Sequence, residues 1–70
     1  MKQYLEIIEQ LTEEEALIKQ AQTIRIEVSS KEDAIDKVSI YEPAFEGLNY
    51  TKRYHKCYHE EGKSCQVEEI

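Results

Sequence analysis

The side chains best suited to chemistry in this 70-residue chain lie together near its C-terminal end. Both histidines and both cysteines of the chain fall between positions 55 and 65, as His55, Cys57, His59 and Cys65. Positions 55, 57 and 59 face the same side if the segment is extended, because side chains alternate along a strand. The window could therefore bind a metal ion or form a disulfide bond.

The turn between the two cysteines decides whether they meet. Residues 60–62 suit a three-residue hairpin loop with Gly62 in the left-handed region, and that register places Cys57 opposite Cys65. A two-residue loop would instead place Cys65 opposite Tyr58, on the other face of the strand. The three-residue loop is the predicted register, and the metal and disulfide hypotheses both depend on it.

Three interpretations of this window stay open. Two cysteines and two histidines are a common tetrahedral zinc set, but their spacing is not that of a Cys-x2–4-Cys knuckle, and on a regular strand His55 and His59 would be about 13 Å apart. A disulfide between Cys57 and Cys65 fits the register but not a reducing compartment. In the favoured third interpretation both cysteines are small core residues beside Val67, with the histidines at the margin.

The opposite side of the same segment alternates aromatic and basic residues: Tyr50, Lys52, Tyr54, Lys56 and Tyr58. If the cysteine side is buried, this stripe faces solvent, and tyrosines beside cations are typical of partner-binding surfaces. One alternative is a stacking platform for single-stranded nucleic acid. The other is that the tyrosines are buried and the lysines reach the edge.

The charge pattern favours a basic partner protein. The net charge is −6, and residues 1–49 hold five basic and eleven acidic side chains, while residues 50–70 hold four of each. An acidic body does not neutralise phosphates, which argues against nucleic acid as the main partner. It complements a basic protein surface. Within it, the densest acidic run is Glu13, Glu14 and Glu15, which we assign with the tyrosine stripe to partner binding.

The N-terminal third has helical spacing. Residues 2–22 contain no Gly or Pro, and apolar residues at positions 4, 8, 11 and 18 form a stripe, so a helix is predicted over this range. Thr12 and Glu15 form a capping-box pattern, which leaves a break into two short helices open. Such an apolar helix could also support self-association.

The remaining elements complete a small α+β domain. Residues 23–28 predict a strand, and Ser30 predicts the N-cap of a helix over 31–38 that buries Ala34, Ile35 and Val38. Residues 39–49 are expected to be irregular, and residues 50–59 and 66–70 are expected to form an antiparallel hairpin. The prediction is one α+β domain over 1–70: an N-terminal helix followed by a β-α-β-β unit.

The function is predicted from the acidic charge of the chain and from its lack of catalytic motifs. Cys57 has no oxyanion cradle nearby, and phosphate loops and dinucleotide fingerprints are absent, so no enzyme is predicted. Glu6 and Glu9 interrupt any leader-like or membrane-spanning run, which favours a cytoplasmic protein. We expect a non-catalytic acidic inhibitor or adaptor that masks a basic surface of a partner protein, including a nucleic-acid-binding one, and no cofactor. The alternative is a module stabilised by zinc in the C-terminal hairpin.

Overall fold

The computed structural model describes residues 1–70 as a four-stranded antiparallel sheet with helices on one face. The strands are β1 (Lys2–Glu9), β2 (Thr23–Glu27), β3 (Tyr50–Cys57) and β4 (Gln66–Glu69), in the spatial order β2-β1-β3-β4. The helices are α1 (Glu13–Ala16) and α2 (Lys31–Tyr41), with 3-10 helices at Glu42–Phe45 and His59–Glu61. The fold class is therefore α+β.

The helix predicted over residues 2–22 is wrong, because this segment opens with the central strand of the sheet. β1 pairs with β3 along its whole length, from Lys2 opposite Cys57 to Glu9 opposite Tyr50, and with β2 on its other edge. Leu5 is fully buried between them. Pairing on both edges gives the backbone of this strand hydrogen-bond partners on two sides and outweighs the helical spacing. The predicted self-association depended on this N-terminal helix, so that route to self-association is wrong as well.

Both predicted helix caps are present, although the helices that follow them differ in length from the predicted ones. The Thr12 side chain accepts from the Glu15 backbone at 3.1 Å and the Glu15 carboxylate accepts from the Thr12 backbone at 3.1 Å, but α1 ends at Ala16. Ser30 caps α2 by accepting from Asp33 N. No helix is both long enough and apolar enough to cross a bilayer.

Residues 39–49 are more ordered than the sequence suggested. α2 continues to Tyr41, and a 3-10 helix with Pro43 in its first turn carries the chain on to the fully buried Phe45. Proline is compatible with a first turn because the amide that it lacks would be unpaired there. Within α2, Ala34 is buried as expected, whereas Ile35 is 51% exposed and does not join the core.

The core lies between α2 and one face of the sheet. Its buried members are Leu5, Ile7, Val28, Ala34, Phe45 and Tyr54. Tyr54 retains only 4% of its exposure, so it is the tyrosine side of β3 that packs inward. The cysteine side lies on the face that α2 leaves open, where Val67 is 52% exposed. The predicted orientation of the hairpin is therefore inverted, because the helix covers the more apolar face.

A buried carboxylate anchors the long connection between β1 and β2. Glu9 is only 6% exposed. Its carboxylate accepts hydrogen bonds from the Lys19 ammonium at 2.9 Å and from the Gln22 backbone N–H at 3.0 Å. Donation from Gln22, reinforced by Lys19, holds the pKa of Glu9 below its ordinary value despite the opposing effect of desolvation. The ionised Glu9 thus binds the middle of the 16–22 segment, at Lys19, and its last residue, Gln22, to the sheet.

Acid is expected to weaken this anchor. Because the pKa of Glu9 is lower in the folded protein, its contribution is fully present above the ordinary value of 4.5 and is lost as pH falls through the folded value. Urea unfolding of wild type and Glu9→Gln, followed from neutral pH into the acid range, should show a smaller pH dependence in the variant. Glu14→Gln, at an exposed position, is the control and should keep the wild-type dependence. Equal slopes for Glu9→Gln and wild type would contradict the assignment.

Candidate metal centre

The β3–β4 hairpin brings the two cysteines face to face. The ladder pairs His55 with Val67 and Lys56 with Gln66, and one further step places Cys57 opposite Cys65. Their sulfurs lie 3.4 Å apart. Gly62 adopts the left-handed conformation expected of it, with φ 69°. The predicted opposition of Cys57 and Cys65 is therefore confirmed. The predicted three-residue loop is wrong, because β3 ends at Cys57 and a 3-10 helix over His59–Glu61 precedes Gly62.

His59 contacts both sulfurs because β3 ends at Cys57. A 3-10 helix begins at His59 and turns its ring back over the hairpin. Its Nδ1 lies 3.2 Å from the Cys57 sulfur and its Nε2 lies 3.3 Å from the Cys65 sulfur. The separation of about 13 Å from His55 applied to a regular strand, whereas the turn takes His59 off the strand and onto the two sulfurs. An ion pair of 3.8 Å between Lys2 and Glu60 holds this turn against β1.

His55 completes the cluster from the sheet itself. One atom each of His55, Cys57 and Cys65 can be chosen so that all lie within 4.8 Å of one another. The His55 Nδ1 faces a carboxylate oxygen of Glu6 at 3.0 Å. The Nε2 is buried and has no hydrogen-bond partner. A buried imidazole nitrogen without a partner is costly unless something binds it.

The electrostatics of the site favour a thiolate at Cys57. The backbone N–H of His59 donates to its sulfur, the Cys65 thiol donates as well, and together they lower the pKa of Cys57 below its ordinary value against the effect of burial. The thiolate is the form that binds metals and attacks disulfides.

The distances suit a tetrahedral soft-metal site. In zinc sites with Zn–S bonds of about 2.3 Å, two sulfurs lie about 3.8 Å apart. The 3.4 Å between the Cys57 and Cys65 sulfurs is close to that spacing. The His59 ring lies at the exposed side and can offer one nitrogen from there. Two thiolates and two imidazoles favour zinc over the oxygen-preferring ions magnesium and calcium.

Contrary to the prediction, the tyrosine stripe does not face solvent. Tyr50 donates from its hydroxyl to a Glu42 carboxylate oxygen at 2.8 Å, Lys52 pairs with the same oxygen at 3.1 Å, and the Lys56 ammonium lies 5.8 Å from the Tyr54 ring. Tyr54 itself is buried, and its hydroxyl donates to Gln3. The alternative of buried tyrosines with lysines at the edge describes Tyr50 and Tyr54 better.

The remaining predicted partner-binding residues lie elsewhere. Tyr58 is half-buried in the turn after β3, next to the cluster. Glu13 and Glu14 are exposed on α1, while Glu15 is occupied by the capping box and by Lys19 at 3.4 Å. The predicted surface is therefore not one continuous patch.

Glu6 is the residue of the site that the sequence analysis missed. The prediction puts Glu6 on an N-terminal helix, whereas β1 carries it into the sheet and onto the open face beside His55. The signal that could have found it is the alternation of β1: Leu5 and Ile7 face the core, and Tyr4 and Glu6 face away from it.

Comparison with known proteins adds no identity, since no family model, curated protein or solved structure matches the chain.

The facing sulfurs are expected to form a disulfide when an oxidant is supplied. Thiolate attack from Cys57 on oxidised glutathione gives a mixed disulfide and one glutathione thiol; Cys65 then displaces the second glutathione. Intact mass should fall by two hydrogens, with both thiols lost to alkylation. Cys65→Ser, the control, should stop at the glutathione adduct. Wild type that stops at the adduct as well would contradict the observed proximity of the sulfurs.

Proposed function

We propose that this chain is a small non-catalytic metal-binding module whose C-terminal hairpin holds one zinc ion. The ligands would be the two sulfurs of Cys57 and Cys65, the free Nε2 of His55 and one nitrogen of His59. The observation that carries the proposal is the convergence of His55, Cys57 and Cys65, whose ligand atoms lie within 4.8 Å of one another. His59 contacts both sulfurs, and the buried Nε2 of His55 has no other partner. Reduced thiols are a condition of binding, which fits the cytoplasmic compartment expected from the sequence.

The ion would stabilise the weakest edge of the sheet. β4 has four residues, all exposed, and pairs only with β3. A strand this short at an edge contributes little burial of its own. Metal bonds from the β3 end at Cys57 to Cys65 at the start of β4 would close the hairpin. Small domains with limited cores commonly need such a constraint.

Titration with cobalt(II), a spectroscopic substitute for zinc, tests the proposal. The reduced protein should bind one equivalent, with a sulfur-to-cobalt charge-transfer band and the visible bands of a tetrahedral ion, and zinc should displace it. Cys57→Ser and Cys65→Ser should lose the charge-transfer intensity stepwise, while Ser64→Ala, a neighbour without a ligand atom in the cluster, should behave as wild type. Fully reduced protein that binds neither ion would overturn the proposal.

A second candidate, an acidic protein-binding module, has support at the other end of the sheet. Leu17 and Ile18 follow α1 and are 86% and 83% exposed, directly beside the exposed Glu13 and Glu14. An apolar pair flanked by unpaired acids complements an apolar cleft bordered by Lys and Arg on another protein. In this proposal, the acidic inhibitor or adaptor expected from the charge pattern binds its basic partner through α1 rather than through the tyrosine stripe.

Paired variants test the second candidate. Leu17→Asp should remove the apolar contact, and Glu13→Lys with Glu14→Lys should repel a basic partner. Capture from cell extract should recover a basic protein that wild type binds in a salt-sensitive way and that both sets of variants lose. Cys57→Ser is the control and should retain it. Recovery of the same proteins by all variants, or self-association of the chain through this segment, would contradict the candidate.

A further inference from the structure

We propose that Glu6 is a positioning residue for the metal centre, which fixes His55 as a ligand through Nε2. The proposal rests on the zinc-binding function proposed above and extends the site from the hairpin to β1.

The contact between Glu6 and His55 is direct and protected. A Glu6 carboxylate oxygen lies 3.0 Å from His55 Nδ1, and the two side chains are 15% and 14% exposed. An ionised carboxylate can only accept a hydrogen bond, so Nδ1 carries the proton and donates it. In the neutral ring the lone pair then lies on Nε2, which is the buried nitrogen without a partner.

Arg25 keeps Glu6 in this role. Its Nε lies 3.8 Å from the second Glu6 oxygen, and its guanidinium lies 4.2 Å from the centre of the Tyr4 ring. The Tyr4 ring in turn meets His55 edge-on, with 6.1 Å between ring centres. Side chains from three adjacent strands therefore fix the carboxylate and the imidazole on the open face. Because the converging ligand atoms belong to His55, Cys57 and Cys65 and not to Glu6, the carboxylate orients a ligand and does not itself coordinate the ion.

The chemistry gives this arrangement a definite consequence. A carboxylate that accepts from the outer nitrogen of a ligating histidine selects the tautomer, orients the ring and makes the inner nitrogen more basic. Loss of such a partner typically weakens metal affinity about 10- to 100-fold. An ion pair with a purely structural role would change stability and leave both the tautomer and the affinity of the folded protein unaltered.

Two variants of Glu6 and one matched control separate these cases. Glu6→Ala removes the acceptor, and Glu6→Gln keeps the size and one acceptor oxygen in case the alanine variant folds poorly. Glu27→Ala removes an exposed acid of the neighbouring strand β2, which lies opposite Tyr4 on the same face and makes no ion pair or side-chain hydrogen bond. Folding of each variant is checked by circular dichroism. The dissociation constant for zinc is measured by competition with a chromophoric chelator.

Glu6→Ala is expected to bind zinc about 10- to 100-fold more weakly, with Glu6→Gln between it and wild type and Glu27→Ala unchanged. Long-range ¹H–¹⁵N spectra of the metal-free protein should show His55 with its proton on Nδ1 in wild type and a tautomer mixture in Glu6→Ala. Wild-type affinity in a folded Glu6→Ala, or an Nε2 proton in wild type, would overturn the role of Glu6 while leaving zinc binding intact. Absence of zinc binding in wild type would overturn both proposals.

Discussion

Saturating zinc is expected to raise the unfolding temperature of the reduced protein by about 10–20 °C. Free zinc at 100 times its dissociation constant stabilises the folded state by about 2.7 kcal/mol if the unfolded chain does not bind it. For a domain of this size each kcal/mol corresponds to about 4–8 °C. The effect is large because Cys57 ends β3 and Cys65 immediately precedes β4, so the ion would tie together two backbone segments that thermal motion otherwise separates.

The measurement is thermal unfolding by circular dichroism in a thiol-free reductant, with and without zinc. A chelator should return the midpoint to that of the metal-free protein. Cys65→Ser, which lacks one sulfur, should gain a small fraction of the wild-type shift. If zinc leaves the midpoint of fully reduced wild type unchanged, the prediction that the metal stabilises this fold is contradicted.

Leu5→Ala is expected to destabilise the protein by about 2–5 kcal/mol, whereas Leu17→Ala should change the free energy of unfolding by about 0.5 kcal/mol or less. Leu5 is fully buried on β1, and Leu17 is 86% exposed after α1. In the helix predicted over residues 2–22, Leu5 and Leu17 would both widen the apolar stripe of positions 4, 8, 11 and 18, so the pair discriminates between the two structures of this segment.

Urea unfolding of the two variants and wild type provides the comparison. Wild-type stability of such domains is only about 5–15 kcal/mol, so the Leu5 substitution should shift the midpoint far outside experimental error. Comparable losses for Leu5→Ala and Leu17→Ala would favour the helix and argue against β1 as the central strand. The same data would then also remove Glu6 from the metal centre.

Local signals in the sequence predicted local structure well. The Ser30 cap, the alternation of residues 23–28 and the turn at Gly62 each depend on a few neighbouring residues, and each is found in the structure. The segment at residues 2–9 carries two periodicities at once. Its helical spacing is as good as its alternation, and pairing with residues 50–57, far along the chain, decides between them.

The site was predictable only in part for the same reason. The register that joins Cys57 to Cys65 follows from one turn and was found from the sequence. Which face of the hairpin stays open is decided by where α2 packs, and the hairpin sequence alone does not indicate that. His59 required a 3-10 helix in place of a strand, and Glu6 required the central position of β1.

The position of β1 has a consequence for synthesis of the chain on the ribosome. Its second neighbour, β3, is translated only after residue 49, so a nascent chain that ends before it has a central strand with one edge unpaired. Leu5 and Ile7 would meanwhile lack the aromatic cover of Tyr54. We therefore expect cooperative folding to wait for the last third of the polypeptide, and the apolar N-terminal strand to be accessible to chaperones until then.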